Sequence, residues 1–145
     1  MRSCDECNAC CVLPAIDLFN KSIREPCKFL DACCTIYETR PDVCRKYTCS
    51  WLFGVFEEDE MRPDKCGLLI DLNDTPAGTH YTVTEIWSGA ANSVLGKRAI
   101  EFLAQKSIVT IGPEVGQVSY VVAQDVEALE KIQQFLPNMI MKQFI

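Results

Sequence analysis

The sequence predicts an α+β chain: an irregular, cysteine-rich metal-binding N-terminal part packed on a small antiparallel sheet with helices on one face, in the order ββαββα. Three observations predict it. All ten cysteines fall between Cys4 and Cys66. Sustained strand and helix periods occur only beyond that point. The length, 145 residues, is about one domain and suffices for an apolar core without cross-links. In chain order, residues 1–56 form the cysteine-cluster region, 57–65 an acidic connector and 66–145 the small α+β region.

The chain opens MRSCDECNACC, in which Cys4, Cys7 and Cys10 repeat at C-x-x-C spacing. Two thiolates separated by two residues turn toward a common point, so one loop supplies two ligands to a metal. Adjacent residues point apart. Cys10 and Cys11 therefore serve two metals, or one bridges them, or one is a plain buried thiol. The second block is CKFLDACCTIYETRPDVCRKYTC. Pro41 suits the first turn of a short helix carrying Cys44, after which Cys49 returns. Arg40 and Arg45 are expected to support the sulfurs by offsetting thiolate charge, whereas Lys46 reads as an ordinary surface cation. The apolar residues Val12, Leu13, Ile16, Leu18, Phe29, Leu30, Ile36 and Trp51 make a thin core, so this half is expected to depend on metal for its structure. SWLFGVF would dock it on the sheet.

The run Glu57-Glu58-Asp59-Glu60 and the following MRPDK read as an exposed, solvated connector. CGLLIDL (66–72) reads as a buried strand, NDTPAGT as a turn, and HYTVTEIW (80–87) as an alternating strand with Tyr81, Val83 and Trp87 on one face. From 92 to 106, Leu95, Ala99, Phe102 and Leu103 form one helical stripe, with Asn92 as N-cap. SIVTI (107–111) and GQVSYVVA (116–123) are strands joined at Gly112-Pro113. The last helix is expected to start near Asp125, bury Val126, Leu129, Ile132 and Leu136, and stop at Pro137. The apolar tail NMIMKQFI would dock on the body or on a second subunit, giving a protein partner or a homodimer. His80, the only histidine, reads as a surface residue rather than a ligand.

The order C-x-x-C-x-x-CC, CKFL, CTIYETRP and CRKYTCSW, over residues 4–51, resembles the CxxCxxCC family of zinc- or iron-chelating cysteine-cluster proteins. The resemblance implies metal ligands at Cys4, Cys7, Cys10, Cys11, Cys27, Cys34, Cys44 and Cys49, and it also covers Tyr37, Arg40, Pro41 and Arg45. Ala9 stands where the family usually has glycine. Cys33 and Cys66 lie outside the pattern; they read as a small buried side chain and a structural strand-entry cysteine. Eight thiolates without histidine suit two closed zinc sites, or one four-iron cluster with sulfurs to spare. Zinc, as two ions, is the expected metal. The alternative is an iron–sulfur protein with a redox or protein-modifying role, since a related cluster occurs in flagellin lysine methylases.

Composition narrows the remaining classes. A net charge of −6 argues against a nucleic-acid footprint. No run of eighteen or more apolar residues predicts a membrane span, and no signal peptide is legible. The expected compartment is the cytoplasm, where thiols stay reduced. No histidine lies near the cysteines to activate one as a nucleophile, so the sequence points to no catalytic residues and favours a binding protein over an enzyme.

Overall fold

The computed structural model describes residues 4, 7–75, 78–115, 117–134 and 140–143. The first half carries four one-turn helices: α1 (Ala9–Val12), α2 (Asp42–Arg45), α3 (Ser50–Phe53) and α4 (Pro63–Cys66). Helices this short are not stable alone, so caps and neighbours must hold them. Pro63 fills the first turn of α4, where its missing N–H costs nothing. Gly67 ends α4 at φ +80°, and a Cβ there would lie 2.6 Å from the Trp87 ring. Both backbone and space demand glycine at that position.

Five strands form one sheet in the order β1-β2-β3-β4-β5. β1 (Leu68–Thr75) and β2 (Gly78–Glu85) pair antiparallel, from Leu68 opposite Glu85 to Thr75 opposite Gly78. Helix α5 (Val94–Ala104) then crosses to β3 (Ile108–Gly112), which lies parallel to β2. β4 (Tyr120–Ala123) returns antiparallel to β3, and α6 (Val126–Gln133) crosses to β5 (Ile140–Gln143), parallel to β4.

The α+β class holds, but the sheet is mixed rather than antiparallel, and a fifth strand drawn from the apolar tail extends the expected ββαββα order. The helices also do not share one face. Both crossovers advance the sheet in the same direction, while β2 and β4 run oppositely. Right-handed connections then place the two helices on opposite faces. The packing agrees. Ala99, Ile100 and Leu103 of α5 join Val109, Ile111 and Val122, whereas Leu129 and Ile132 of α6 join Ile108, Val121 and Ala123.

Several local expectations are corrected. Ser93, not Asn92, caps α5, its hydroxyl accepting from the Gly96 N–H at 2.9 Å. Asp125 does cap α6, but Val126 and Trp87 are exposed, and Phe102 is partly so, resting against Phe56. Leu136 and Pro137 lie outside the described residues. His80 is buried in β2, not at the surface, because the register sets it beside Ile108 on the α6 face. In the connector, Met61 and Pro63 are buried, and Arg98 of α5 pairs with Glu58 at 3.3 Å and Glu60 at 2.7 Å.

One apolar core joins the two halves. Ala9, Leu13, Trp51, Phe56 and Met61 pack with Leu68, Leu69 and Ile70 of β1. The cysteine-rich segment therefore rests on β1. Arg24 ties the far end down: it pairs with Glu114 and donates to the carbonyls of Ile86 at 2.9 Å, Glu85 at 2.7 Å and Pro113 at 2.5 Å.

Candidate metal centre

The cysteine segment is wound by backbone hydrogen bonds between the two sequence blocks. The Cys7 N–H donates to the Cys4 carbonyl at 2.6 Å, closing the first C-x-x-C turn, and the Cys27 N–H donates to the Cys11 carbonyl at 2.9 Å. Leu30 and Cys34 form an isolated antiparallel bridge. Asn8 reaches the Ala32 carbonyl at 3.4 Å. Lys21 is buried, with 5% exposure, and its ammonium donates to the carbonyls of Val12 at 2.8 Å, Pro14 at 2.5 Å and Ser22 at 3.1 Å. That is the full complement of three donors for an ammonium, so its burial is compensated.

These loops enclose a cavity of about 540 Å³ whose wall includes Cys4, Cys7, Cys10, Cys11, Cys27, Cys33, Cys34 and Cys44. A second crevice, of about 10 Å³, lies against Cys4, Cys7, Cys10 and Cys49, with Trp51, Leu52, Pro63 and Leu69 also in its lining. Between them the two spaces touch all eight thiols of the implied ligand set. None of the ten cysteines is in a disulfide. Cys33, expected as a small buried side chain, is instead exposed and lines the larger cavity. Cys66 borders neither space. It is 1% exposed, its sulfur donates to the carbonyls of Met61 at 3.4 Å and Leu68 at 3.7 Å, and burial pushes its thiol up to about 11.

Electrostatics separate the sulfurs. Cys10 donates its S–H toward Cys11 and Cys4, and these bonds, with burial, hold its own proton firmly. Cys11 moves the other way, to about 7: the hydrogen bond from Cys10 stabilises its thiolate, and the charges of Lys21 and Arg40 add to this against burial. Burial raises Cys7, Cys44 and Cys49. Cys7 faces the Asp64 carboxylate, which a two-pronged bond from Arg62 at 2.5 and 2.7 Å keeps below the usual carboxylate range. Tyr47 lines the cavity and donates to Asp71 of β1 at 2.5 Å, anchoring the wall to the sheet.

Arg40 lines the cavity with its guanidinium 3.7 Å from the centre of the Tyr37 ring and its Nε donating to the Tyr37 carbonyl at 2.7 Å. Arg45 is exposed and donates to the Arg40 carbonyl at 3.2 Å, so it braces Arg40 rather than a sulfur. Lys46 pairs with Asp42, at 3.7 Å on the surface. Lys21, Tyr47, Asp64 and Asp71 surround the site without having been expected there. Of these only Tyr47 had a signal, its place between Cys44 and Cys49.

Among the described residues, no three of the cysteine, histidine, aspartate and glutamate side chains converge closely enough to enclose an ion. The donor chemistry nonetheless fits a soft cation: thiols free of disulfides line one cavity, and two cations act on Cys11. No helix among the described residues is long and apolar enough to cross a membrane. Nothing among protein-family models, curated proteins or solved structures matches the chain.

Proposed function

We propose that the chain is a metal-binding protein that holds zinc, as two ions, through Cys4, Cys7, Cys10, Cys11, Cys27, Cys34, Cys44 and Cys49, in a reducing compartment such as the cytoplasm. One observation carries this reading: in residues 17–48 only Lys21 and Cys27 are buried, yet the segment is wound around a thiol-lined cavity. A loop of that length without an apolar interior has nothing to offset its conformational entropy. Thiolate–zinc bonds supply such a term, on the order of 10 kcal/mol or more in small domains.

When bound, zinc would act as a structural cross-link between thiolates. The chain's own contribution is to present them. Lys21 holds the turn after α1 in place, Arg40 sets a positive charge toward Cys11 and Cys44, and Tyr47 fixes the cavity wall to β1. No group is assigned a catalytic role.

The test is elemental analysis and a visible spectrum of protein purified without oxygen. Two equivalents of zinc and no colour are expected. Iron with acid-labile sulfide would replace zinc by the iron–sulfur reading, with a redox or protein-modifying role. A chain carrying neither metal, and binding neither when offered, would end the proposal.

A further inference from the structure

The larger cavity has more room than ions need. Its volume is about 540 Å³, within the range of about 300–1,000 Å³ that small organic molecules occupy. A water molecule, by comparison, takes about 30 Å³ in the liquid.

Two kinds of surface line this space. One is sulfur: Cys10 and Cys11 both stand in the wall, and the Cys10 S–H donates toward Cys11, so two thiols touch there. The other is apolar, made by Ile16, Phe19, Phe29, Ile36 and Tyr37. Phe19 and Phe29 meet edge to face with 5.1 Å between ring centres, a corner that suits another aromatic ring. Among the described residues the lining holds no aspartate, glutamate or histidine, and no three donors converge on one point. A guest matched to this wall takes two sulfurs from the chain, asks for no oxygen or nitrogen ligand, and carries an organic group that fills the apolar space.

We propose, resting on the reading of these thiols as soft-metal ligands, that the cavity binds a monosubstituted trivalent arsenical with an aromatic substituent. Its arsenic bonds Cys10 and Cys11, and its ring lies against Phe19, Phe29 and Tyr37.

Trivalent arsenic that already carries one organic group has two bonds left to make, and as a soft centre it makes them to sulfur. For an arsine oxide the step is a condensation. Two As–S bonds form, the As=O bond breaks, and its oxygen leaves as water with the two thiol protons. Arsenic stays trivalent, so the step needs no oxidant or reductant. It does need free thiols, and none of the ten cysteines is in a disulfide. The arsenical and zinc share Cys10 and Cys11, so each excludes the other there.

The experiment takes the full-length chain, purified without oxygen, and partitions phenylarsine oxide or methylarsine oxide between it and dithiothreitol. Intact mass reads the adduct, and elemental analysis reads zinc separately. The small dithiol cancels the chemistry of the As–S bonds, which leaves the effect of the substituent. The chain should favour phenyl over methyl by about tenfold or more relative to dithiothreitol, as burial of a ring predicts. Phe29→Ala, at a partly exposed wall residue, should cut that preference by about threefold or more and leave zinc uptake unchanged. Cys10→Ser and Cys11→Ser should each abolish it, and Cys33→Ser should keep it. The same partition for both arsenicals, an undiminished preference in Phe29→Ala, or one that survives in a folded Cys11→Ser chain would overturn the proposal. Where the Cys10 and Cys11 variants fail to fold, the parent and Phe29→Ala still decide. A chain that holds zinc but shows no preference loses this inference alone, whereas one that shows the preference but takes up no zinc loses the zinc reading instead.

Discussion

Strand β3 and the loop from residue 17 to 48 show two ways of using apolar side chains. In β3 all five residues, Ile108–Gly112, are buried, and both faces are covered, by α5 on one side and α6 on the other. In the loop, Leu18 is 67% exposed, Ile23 46% and Val43 54%. The strand is held by area removed from water and by its ladder bonds. The loop holds apolar residues but does not bury them, so its shape rests on polar and sulfur groups: Lys21 on three carbonyls, Arg24 on the sheet end, and thiols around a cavity. The two halves share one core at Leu13, Trp51 and Leu69, yet they should respond to different insults.

The largest expected effect is therefore from metal removal. Stripping the protein with a strong chelator under reducing conditions should remove on the order of 10 kcal/mol from the cysteine segment. Hydrogen exchange followed by mass spectrometry should then show residues 7–49 losing protection while β1–β4 keep theirs. Equal protection before and after stripping would mean the loop needs no ion. The reciprocal insult is a cavity in the sheet half. Leu103→Ala, at a position with no exposure, should cost about 2–5 kcal/mol. Leu18→Ala should cost no more than about 0.5 kcal/mol. Urea melts of the two variants sharpen the contrast, and a Leu18 cost near that of Leu103 would erase it.

The same contrast explains what the sequence could disclose. The strands and α5 and α6 were legible because burial imposes a period, and the period is written in Val109, Ile111, Leu129 and Ile132. Topology was less so: nothing in HYTVTEIW or SIVTI says that they pair in parallel, and the right-handed crossover rule, which separates the two helices, needs the strand order first. The tail's strand was hidden because four residues, Ile140–Gln143, carry too little pattern to tell pairing from docking. In the cysteine segment the family resemblance implied eight of the nine thiols that line the two spaces and set Cys66 aside, but it also set aside Cys33, which lines the larger cavity. It could not name Lys21 or Asp64, because their roles arise from loops meeting in space rather than from a repeat along the chain.

Arg24 measures how firmly the unlike halves are joined. It adopts φ 59°, a conformation uncommon outside glycine, and from there reaches three carbonyls and Glu114. The side chain is 35% exposed, so solvent screens the pair with Glu114, and most of the gain should come from the carbonyl bonds. Arg24→Ala should cost about 1–2 kcal/mol in a urea melt, with faster exchange confined to residues near Glu85 and Pro113. If Arg24→Ala and Glu114→Ala cost the same and are not additive, the ion pair rather than the carbonyls does the joining.

The smallest effect tests the sheet half alone. His80 is buried on β2 beside Ile108, and its Nδ1 meets no partner among the described residues. Burial lowers its pKa, only partly opposed by a hydrogen bond to the Gly78 backbone. The folded protein thus prefers the neutral ring, whereas the unfolded chain takes a proton from about pH 6.5 downward. Stability from this group is complete above that value. It declines as pH falls from there to the lowered folded value, by at most about 1.4 kcal/mol per pH unit for one proton. Thiolate–metal bonds also weaken in acid, so the readout is the difference between the zinc-loaded parent and His80→Phe, which keeps the volume and removes the proton site. The parent should lose stability more steeply between pH 7 and 5.5 than the variant. Parallel slopes would mean that acid acts only through the thiol region and that His80 titrates alike in both states.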